Sequence, residues 1–300
     1  MNIAWERVIK PGIKFAVMLV SWPFWRFPVL NTMKREYVAV NSDRNGPFAM
    51  LMRWSFDHQF YKSNVAQRAA LQDQFMGGDT GVTWADHYSS EPFPPDQNAR
   101  YGDLKWSDVY RFVEILKDFL SRENYLFLQI GSSSGREIGY FAGLFPGSTF
   151  LGTDLYEDVC EFAASRYQLD NLDFVPCQAV DIAELIRNSA HRNVIVFSSG
   201  SLSYVFPEHV DEMFRQLSTL ENIDRLILCF HEMGLTRNRP PDQVAGSLNV
   251  GNFTYSHNYR HYAGMNHIGV DERTSLIYPF ITEENKRRHK DTCHYFFLSE

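Results

Sequence analysis

The stretch LFLQIGSSSGREIGYFA, Leu126 to Ala142, sets five small residues, Gly131 to Gly135, between an apolar run and a segment of helical apolar spacing. Residues of that type at such a junction suit ligand binding against the main chain. Gly131 permits a sharp turn, while Ser133 and Gly135 keep side-chain bulk away, so that a ligand can lie against N–H groups at the start of the next helix. Asp154 follows Gly135 by 19 positions and ends the next apolar run, STFLGTD. An acid so placed can accept hydrogen bonds from both hydroxyls of a ribose. The loop and the acid together describe a nucleotide-type site.

Such a site needs a sheet to carry it, and the sequence around it supplies one. Apolar residues at helical spacing from Val109 to Leu120, after a capping Ser107, predict a helix. YLFLQI reads as a buried strand, and the alternation continues. Helix 136–145 leads to strand STFLGTD, helix 157–166 to LDFVPC, helix 181–188 to NVIVFSS, and helix 207–220 to RLILCFH. Apolar strands separated by amphipathic helices predict a doubly wound α/β fold, a mostly parallel sheet covered on both faces. Its ligands bind outside the carboxyl ends of the strands. Upstream, Ser63 to Phe75 reads as a helix and the Pro-rich stretch Ser89 to Asp103 as a loop. Residues 1–103 are therefore read as an N-terminal extension and 104–300 as the sheet domain.

A dinucleotide site wants Gly at the sixth position of its fingerprint, where this chain has Arg136, expected to obstruct close helix packing. The loop instead resembles the first motif of the class I, Rossmann-like S-adenosylmethionine-dependent methyltransferases, an acid followed by xGxGxG. Here that motif reads Gln129, Gly131, Ser133, Gly135, with Gln in the acid's place and Ser in the middle Gly's. Further matches follow in order, and the resemblance covers Ser107 to Glu300. It implies S-adenosyl-L-methionine as cofactor and a seven-stranded sheet whose last strand, from CHYFFLS, is inserted antiparallel. It also implies roles for individual residues. Gln129, Gly131, Ser132, Ser133 and Gly135 would form the loop, Asp154 would hold the ribose, and Leu155 and Tyr156 would lie beside the adenine. Gln178, with Ala179 next to it and Asp181 as alternative, would meet the adenine amino group. Ser198, Ser199 and Gly200 would line the cofactor, and Leu202 to Val205 would turn toward substrate.

Methyl transfer asks the protein to align a nucleophile and exclude water, and an oxygen nucleophile also needs a base. The candidates for that base are Tyr204, His231, Glu232, His257 and His261, with His231 first because it is expected to end a buried strand at the cleft. Trp84 and Tyr88 are candidates for a lid over substrate, and His257 and His261 for substrate contacts. Those two histidines have the i, i+4 spacing that would place both on one helical face, and with His267 they could hold a metal. No carboxylate is patterned with them, so no metal is expected. The acceptor expected is a small molecule or a carbohydrate or lipid intermediate, with oxygen favoured over nitrogen. Two competing readings are a nicotinamide-dependent oxidoreductase and a methyltransferase-like scaffold that has lost catalysis, the latter because Gln129 and Ser133 alter the loop.

The 300 residues are 44% hydrophobic and carry a net charge of −7. The acidic balance speaks against a protein built for nucleic-acid backbone, and four cysteines without a CxxC pair suggest neither zinc site nor disulfide framework. A reducing, cytoplasmic compartment is expected. The run FAVMLVSWPFW after Lys10 and Lys14 is shorter than a spanning helix of about 20 residues, yet its Trp and Arg neighbours suit a membrane interface. Peripheral membrane contact through this segment is the expectation set beside packing on the protein's own core. The extension would otherwise shape the substrate pocket or an oligomer contact.

Overall fold

The computed structural model describes residues 16, 56–58, 60–76, 79–96, 100–101, 104–105, 110–235, 244–251, 253–270, 277–279 and 292–299. Apart from Ala16, the apolar run after Lys14 lies outside them, as does the proposed Ser107 cap. No described helix is long and apolar enough to cross a membrane. Chain contacts define two compact units, Met1–Gly77 with Asn249–Thr254, and Gly78–Leu248 with Tyr255–Glu300. This division falls earlier than residue 103.

In the first unit, helix α1 spans Val65–Met76. Asn64 and Gln67 close its start reciprocally: Asn64 Oδ1 accepts the Gln67 N–H at 2.9 Å, and Gln67 Oε1 accepts the Asn64 N–H at 3.3 Å. Buried Phe56 and Phe60 pack against Phe253, with centroids 4.7 and 5.3 Å away.

The second unit holds the sheet. The strands of that sheet are β1 Leu126–Ile130, β2 Thr149–Asp154, β3 Leu172–Pro176, β4 Asn193–Ser199 and β5 Arg225–Leu235 and, after a separate pair, β6 Ser247–Gly251 and β7 Thr254–His257, that the unit boundaries divide, β8 Ile277–Pro279 and β9 Thr292–Ser299. The seven-stranded sheet runs β8-β9-β5-β4-β1-β2-β3. The five strands from β3 to β5 are parallel, and β9 lies antiparallel between β5 and β8. The last strand is thus inserted as the sequence leads one to expect. β5 runs four residues past His231, so that histidine is interior to its strand rather than at its end. The longer strand follows from pairing, because β9 continues antiparallel alongside it to Leu235.

Helices α2 Asp79–Ser89, α3 Arg111–Arg122, α4 Arg136–Leu144, α5 Glu157–Arg166, α6 Ile182–Arg187, α7 Pro207–Leu217 and α8 Tyr259–Met265 complete the unit. α3 starts later than a Ser107 cap would give, after Tyr110. α2 occupies a stretch the sequence gives no reason to call helical, with Gly81 inside it and neighbouring Pro and Gly around it. β1 alternates: Leu126, Leu128 and Ile130 join one buried layer with α6, α7 and α8, and Phe127 joins the other with α3 and α4. The second layer is aromatic, with Phe112, Phe127, Phe141, Phe150 and Phe197 all fully buried. Period-two alternation sends Gln129 of β1, Ser199 of β4 and His231 of β5 to that same aromatic side at the carboxyl edge.

Candidate active site

The loop from Gly131 to Gly135 is built on backbone that favours glycine. Gly131, Ser133 and Gly135 have φ of 64°, 49° and 74°. Gly131 has a second reason to be glycine, since a Cβ there would lie 2.3 Å from Ser201 Cβ. Ser201 Oγ donates to the Gly131 carbonyl at 3.0 Å, drawing the loop after β4 against the loop after β1. Gly135 serves packing rather than ligand clearance, because a Cβ there would lie 2.7 Å from Phe174 and 3.1 Å from Tyr167. Gly139 makes the same close approach to Tyr167. Close packing of α4 is therefore supplied by these glycines, and Arg136 does not obstruct it. Its guanidinium reaches outward, donating to Glu91 Oε2 at 3.1 Å and lying 5.5 Å from the Phe93 ring centroid.

Asp154 ends β2 facing this loop. Its Oδ2 accepts the Ser133 N–H at 3.2 Å and its Oδ1 the Tyr156 N–H at 3.4 Å. Burial pushes its carboxyl above the usual range against hydrogen bonds from Ser133, Tyr156 and Leu155 that favour the ionised form. Ser132 N–H donates to the Thr153 carbonyl, and Cys177 N–H to the Asp154 carbonyl, fixing the ends of β2 and β3 around the acid. Leu155 leaves its apolar side chain 51% exposed beside it, and Tyr156 is half-buried. Gln178 is exposed where β3 gives way to a turn of 3-10 helix, while Ala179 turns into the core and offers no side chain to a ligand.

Three expected roles change. Ser198 is fully buried and donates through Oγ to Glu232 Oε1 at 2.6 Å, so its side chain is committed inward and does not line a cleft. Glu232 also accepts the N–H groups of Leu202 at 3.1 Å and Ser203 at 3.2 Å. It is 1% exposed, and burial pushes it up to about 7 against those bonds. A carboxyl so enclosed is a positioning residue for the turn 200–204, not a group that reaches a substrate. His257 sits in β7, before α8 begins at Tyr259, so it shares no helical face with His261. The strand wins because Asn258 caps α8, accepting the His261 N–H at 3.1 Å.

His257 is 1% exposed. Its Nε2 lies 2.9 Å from the Leu202 carbonyl, which can only accept, so Nε2 carries the proton and Nδ1 accepts from Ser247 Oγ at 2.6 Å. Burial lowers its pKa to about 4. It buttresses the same turn as Glu232. Because the folded value is depressed, its contribution is present above the ordinary 6.5 and lost as pH falls toward 4. Wild type should lose on the order of 2–3 kcal/mol more than His257→Asn across that interval, measured by urea unfolding at pH 7, 5.5 and 4. Parallel curves for the two proteins would refute the assignment.

The remaining candidates converge in part. Tyr204 is half-buried in the turn, and burial, with Tyr88 and Glu232 adding to it, pushes its phenol up to about 12. It stays protonated and donates rather than acts as a base. Trp84 stacks on Tyr88 at 5.6 Å. Arg136 and Glu91 also act on the Tyr88 phenol. His231 is 6% exposed, with its ring 4.9 Å from Phe112 and 6.1 Å from Tyr110. Ser199 pairs with it in register, and the Gly200 N–H donates to its carbonyl at 2.9 Å. His261 packs on Tyr262 at the start of α8. A shallow hollow lined by Leu217, Leu226, His267, Ile268 and Ser299 lies at the opposite, amino edge of the sheet.

One residue escapes sequence reading. Glu137, in the first turn of α4, accepts from Gln129 Nε2 at 2.9 Å, and Ser199 of β4 favours its ionised form. Its sequence signal is only an acid after a Gly-rich loop, which reads as an ordinary first-turn residue.

The chain matches no protein-family model and no curated protein. Among solved structures it resembles one assigned as a sarcosine dimethylglycine methyltransferase from Galdieria sulphuraria, with a TM-score of 0.52 at 10% identity over 74% of this chain and 98% of that one. A geranyl diphosphate C-methyltransferase from Streptomyces coelicolor A3(2) aligns with a TM-score of 0.43 at 14% identity over 64% of this chain and 78% of that one. With the strand order and the inserted antiparallel β9, the first likeness shows that the chain has the class I, Rossmann-like S-adenosylmethionine-dependent methyltransferase fold.

Proposed function

We propose that this protein transfers a methyl group from S-adenosylmethionine to a small-molecule acceptor, through an oxygen nucleophile before a nitrogen one. The observation that carries the reading is the Asp154 carboxylate at the end of β2, held by the Ser133 N–H across the loop. The residues fit the cofactor: an acid with oxygens directed by main-chain N–H groups suits ribose hydroxyls, and exposed Leu155 beside it suits a flat base. When bound, the cofactor supplies an electrophilic methyl on a sulfonium.

The chain's own work is then to position the acceptor and manage its proton. Glu232 and His257 fix the turn carrying Tyr204, whose phenol donates to an acceptor oxygen. Trp84 and Tyr88 close an aromatic side of the same place. Of the side chains considered for proton removal, Glu232 is consumed by the turn and Tyr204 stays protonated. His257 has both ring nitrogens engaged, and of the two histidines that remain, His231 and His261, we take His231 for an oxygen acceptor because it lies beside Ser199 at the carboxyl edge of the sheet.

Calorimetric titration tests the reading. Wild type should bind S-adenosylmethionine and not NADH, and Asp154→Ala should bind the former at least about tenfold more weakly, the size of a charged hydrogen-bond pair. Binding of NADH alone would replace this reading with a dehydrogenase. Retained binding without turnover on any acceptor would favour a scaffold.

A further inference from the structure

Gln129 stands where the resemblance leads one to expect an acid, and the structure shows what surrounds it. Its side chain is 2% exposed. The amide nitrogen is used, donating to Glu137 Oε2 at 2.9 Å, whereas the amide oxygen has no hydrogen-bond partner among the described residues. A buried amide oxygen without a donor costs about 1–3 kcal/mol, so it calls for a donor. Beside it lies the Glu137 carboxyl, whose ionised form Ser199 of β4 also favours. Two acceptors from two elements thus converge next to the Gly131–Gly135 loop, and among the described residues no cationic side chain bonds to either. Arg136, adjacent in sequence, sends its guanidinium to Glu91 and Phe93 instead.

We infer that Glu137 carries the negative charge that Gln129 lacks, and that the two side chains together bind the α-ammonium group of the amino-acid end of the cofactor. This deepens the methyltransferase reading and rests on it. An ammonium group offers three donors, enough for Gln129 Oε1 and the Glu137 carboxylate together. Glu137 in the first turn of α4 also sits at the positive end of the helix dipole, which steadies its ionised form once a cation partners it.

The protonation of Glu137 gives a signature. Burial pushes its carboxyl up to about 7, opposed by Arg136, Ser199 and Gln129. Part of the empty sites is therefore protonated near neutral pH, and an arriving ammonium expels that proton. The groups facing Glu137 from β1 and β4 are uncharged. On that face of the next strand, β5, the titratable side chains are His231 and Cys229, and burial keeps the Cys229 thiol protonated.

The test compares S-adenosylhomocysteine with 5′-methylthioadenosine, two neutral thioethers, of which the second has no amino-acid end. By calorimetry, Glu137→Gln should bind S-adenosylhomocysteine about tenfold or more weakly while binding 5′-methylthioadenosine as wild type does. Asp154→Ala should weaken both. The paired variant Gln129→Glu/Glu137→Gln should recover most of the preference for S-adenosylhomocysteine. Wild type, titrated near neutral pH in buffers of different ionisation enthalpy, should release more protons with S-adenosylhomocysteine than with 5′-methylthioadenosine, and the excess should fall away as the pH is raised to about 9. This measurement decides the matter if Glu137→Gln does not fold. Equal effects of Glu137→Gln on the two ligands, or no difference in proton release, overturn the inference and leave the cofactor reading standing. Failure of wild type to bind either ligand overturns both.

Discussion

Phe197→Ala is expected to lower the free energy of unfolding by about 3–5 kcal/mol, the range for emptying a fully buried aromatic site. The size follows from where the ring sits. Phe197 is 0% exposed at the centre of β4, with ring centroids 5.3 Å from Phe112, 5.7 Å from Phe127 and 6.4 Å from Phe141. Removing it unpacks three neighbours from three elements, α3, β1 and α4. Their rigid rings and the strands behind them leave little freedom to collapse into the space. Urea unfolding should show a lower midpoint at unchanged slope. Leu144→Ala, at a side chain 48% exposed, should stay within about 0.5 kcal/mol. A loss below about 1 kcal/mol for Phe197→Ala would mean that the aromatic layer does not cohere as described.

Glu232→Ala should cost about as much, for a different reason. The substitution strands the Ser198 hydroxyl and the N–H groups of Leu202 and Ser203 without their acceptor in a site closed to water. At about 1–3 kcal/mol for each buried orphan, a deficit of about 3–5 kcal/mol is expected at pH 5. It should shrink as pH rises. A carboxyl whose folded pKa is raised contributes stability that is whole below its unfolded value near 4.5 and is lost as pH climbs through about 7. Wild type therefore gives up roughly 2–3 kcal/mol of this advantage between pH 5 and pH 8, and the variant does not. Hydrogen exchange should localise the damage to the amides of 200–204, with β1 to β3 retaining protection. A deficit that grew with pH would reverse the assignment of a raised pKa.

The sheet was legible because its signals are local. Each strand of the parallel core is an apolar run, and the intervening helices show their buried face in sequence, as α3 does with Phe112, Leu116 and Phe119. The Gly-Ser loop and Asp154 were legible for the same reason, since spacing along a strand-helix-strand unit fixes their meeting. What escaped depends on partners distant in sequence. Nothing near Ser198 says that its hydroxyl will be claimed by a carboxyl 34 residues later. His257 looked like one of a helical pair because its partner Leu202 lies 55 residues upstream, and only tertiary pairing reveals a strand there. Glu137 drew no reading at all, because its contact with Gln129 forms only when α4 packs on β1. Gly135 was read as clearance for a ligand, although Phe174 and Tyr167 occupy that space.

The position of β9 bears on how the protein comes to be made. Thr292–Ser299 pairs with β5 on one side and β8 on the other. During synthesis, β5 emerges and docks on β4 while its other edge faces solvent as a row of unpaired main-chain groups, next to the half-finished layer that holds Phe230. Some sixty residues must pass before the strand that seals this edge leaves the ribosome, and β8 emerges first with no neighbour to join. The nascent chain thus carries an adhesive edge for several seconds at about 5–20 residues per second, the kind of surface on which strands of other chains can pair. The fold closes by filling a gap near one end of its sheet, so its completion waits on the strand it receives last.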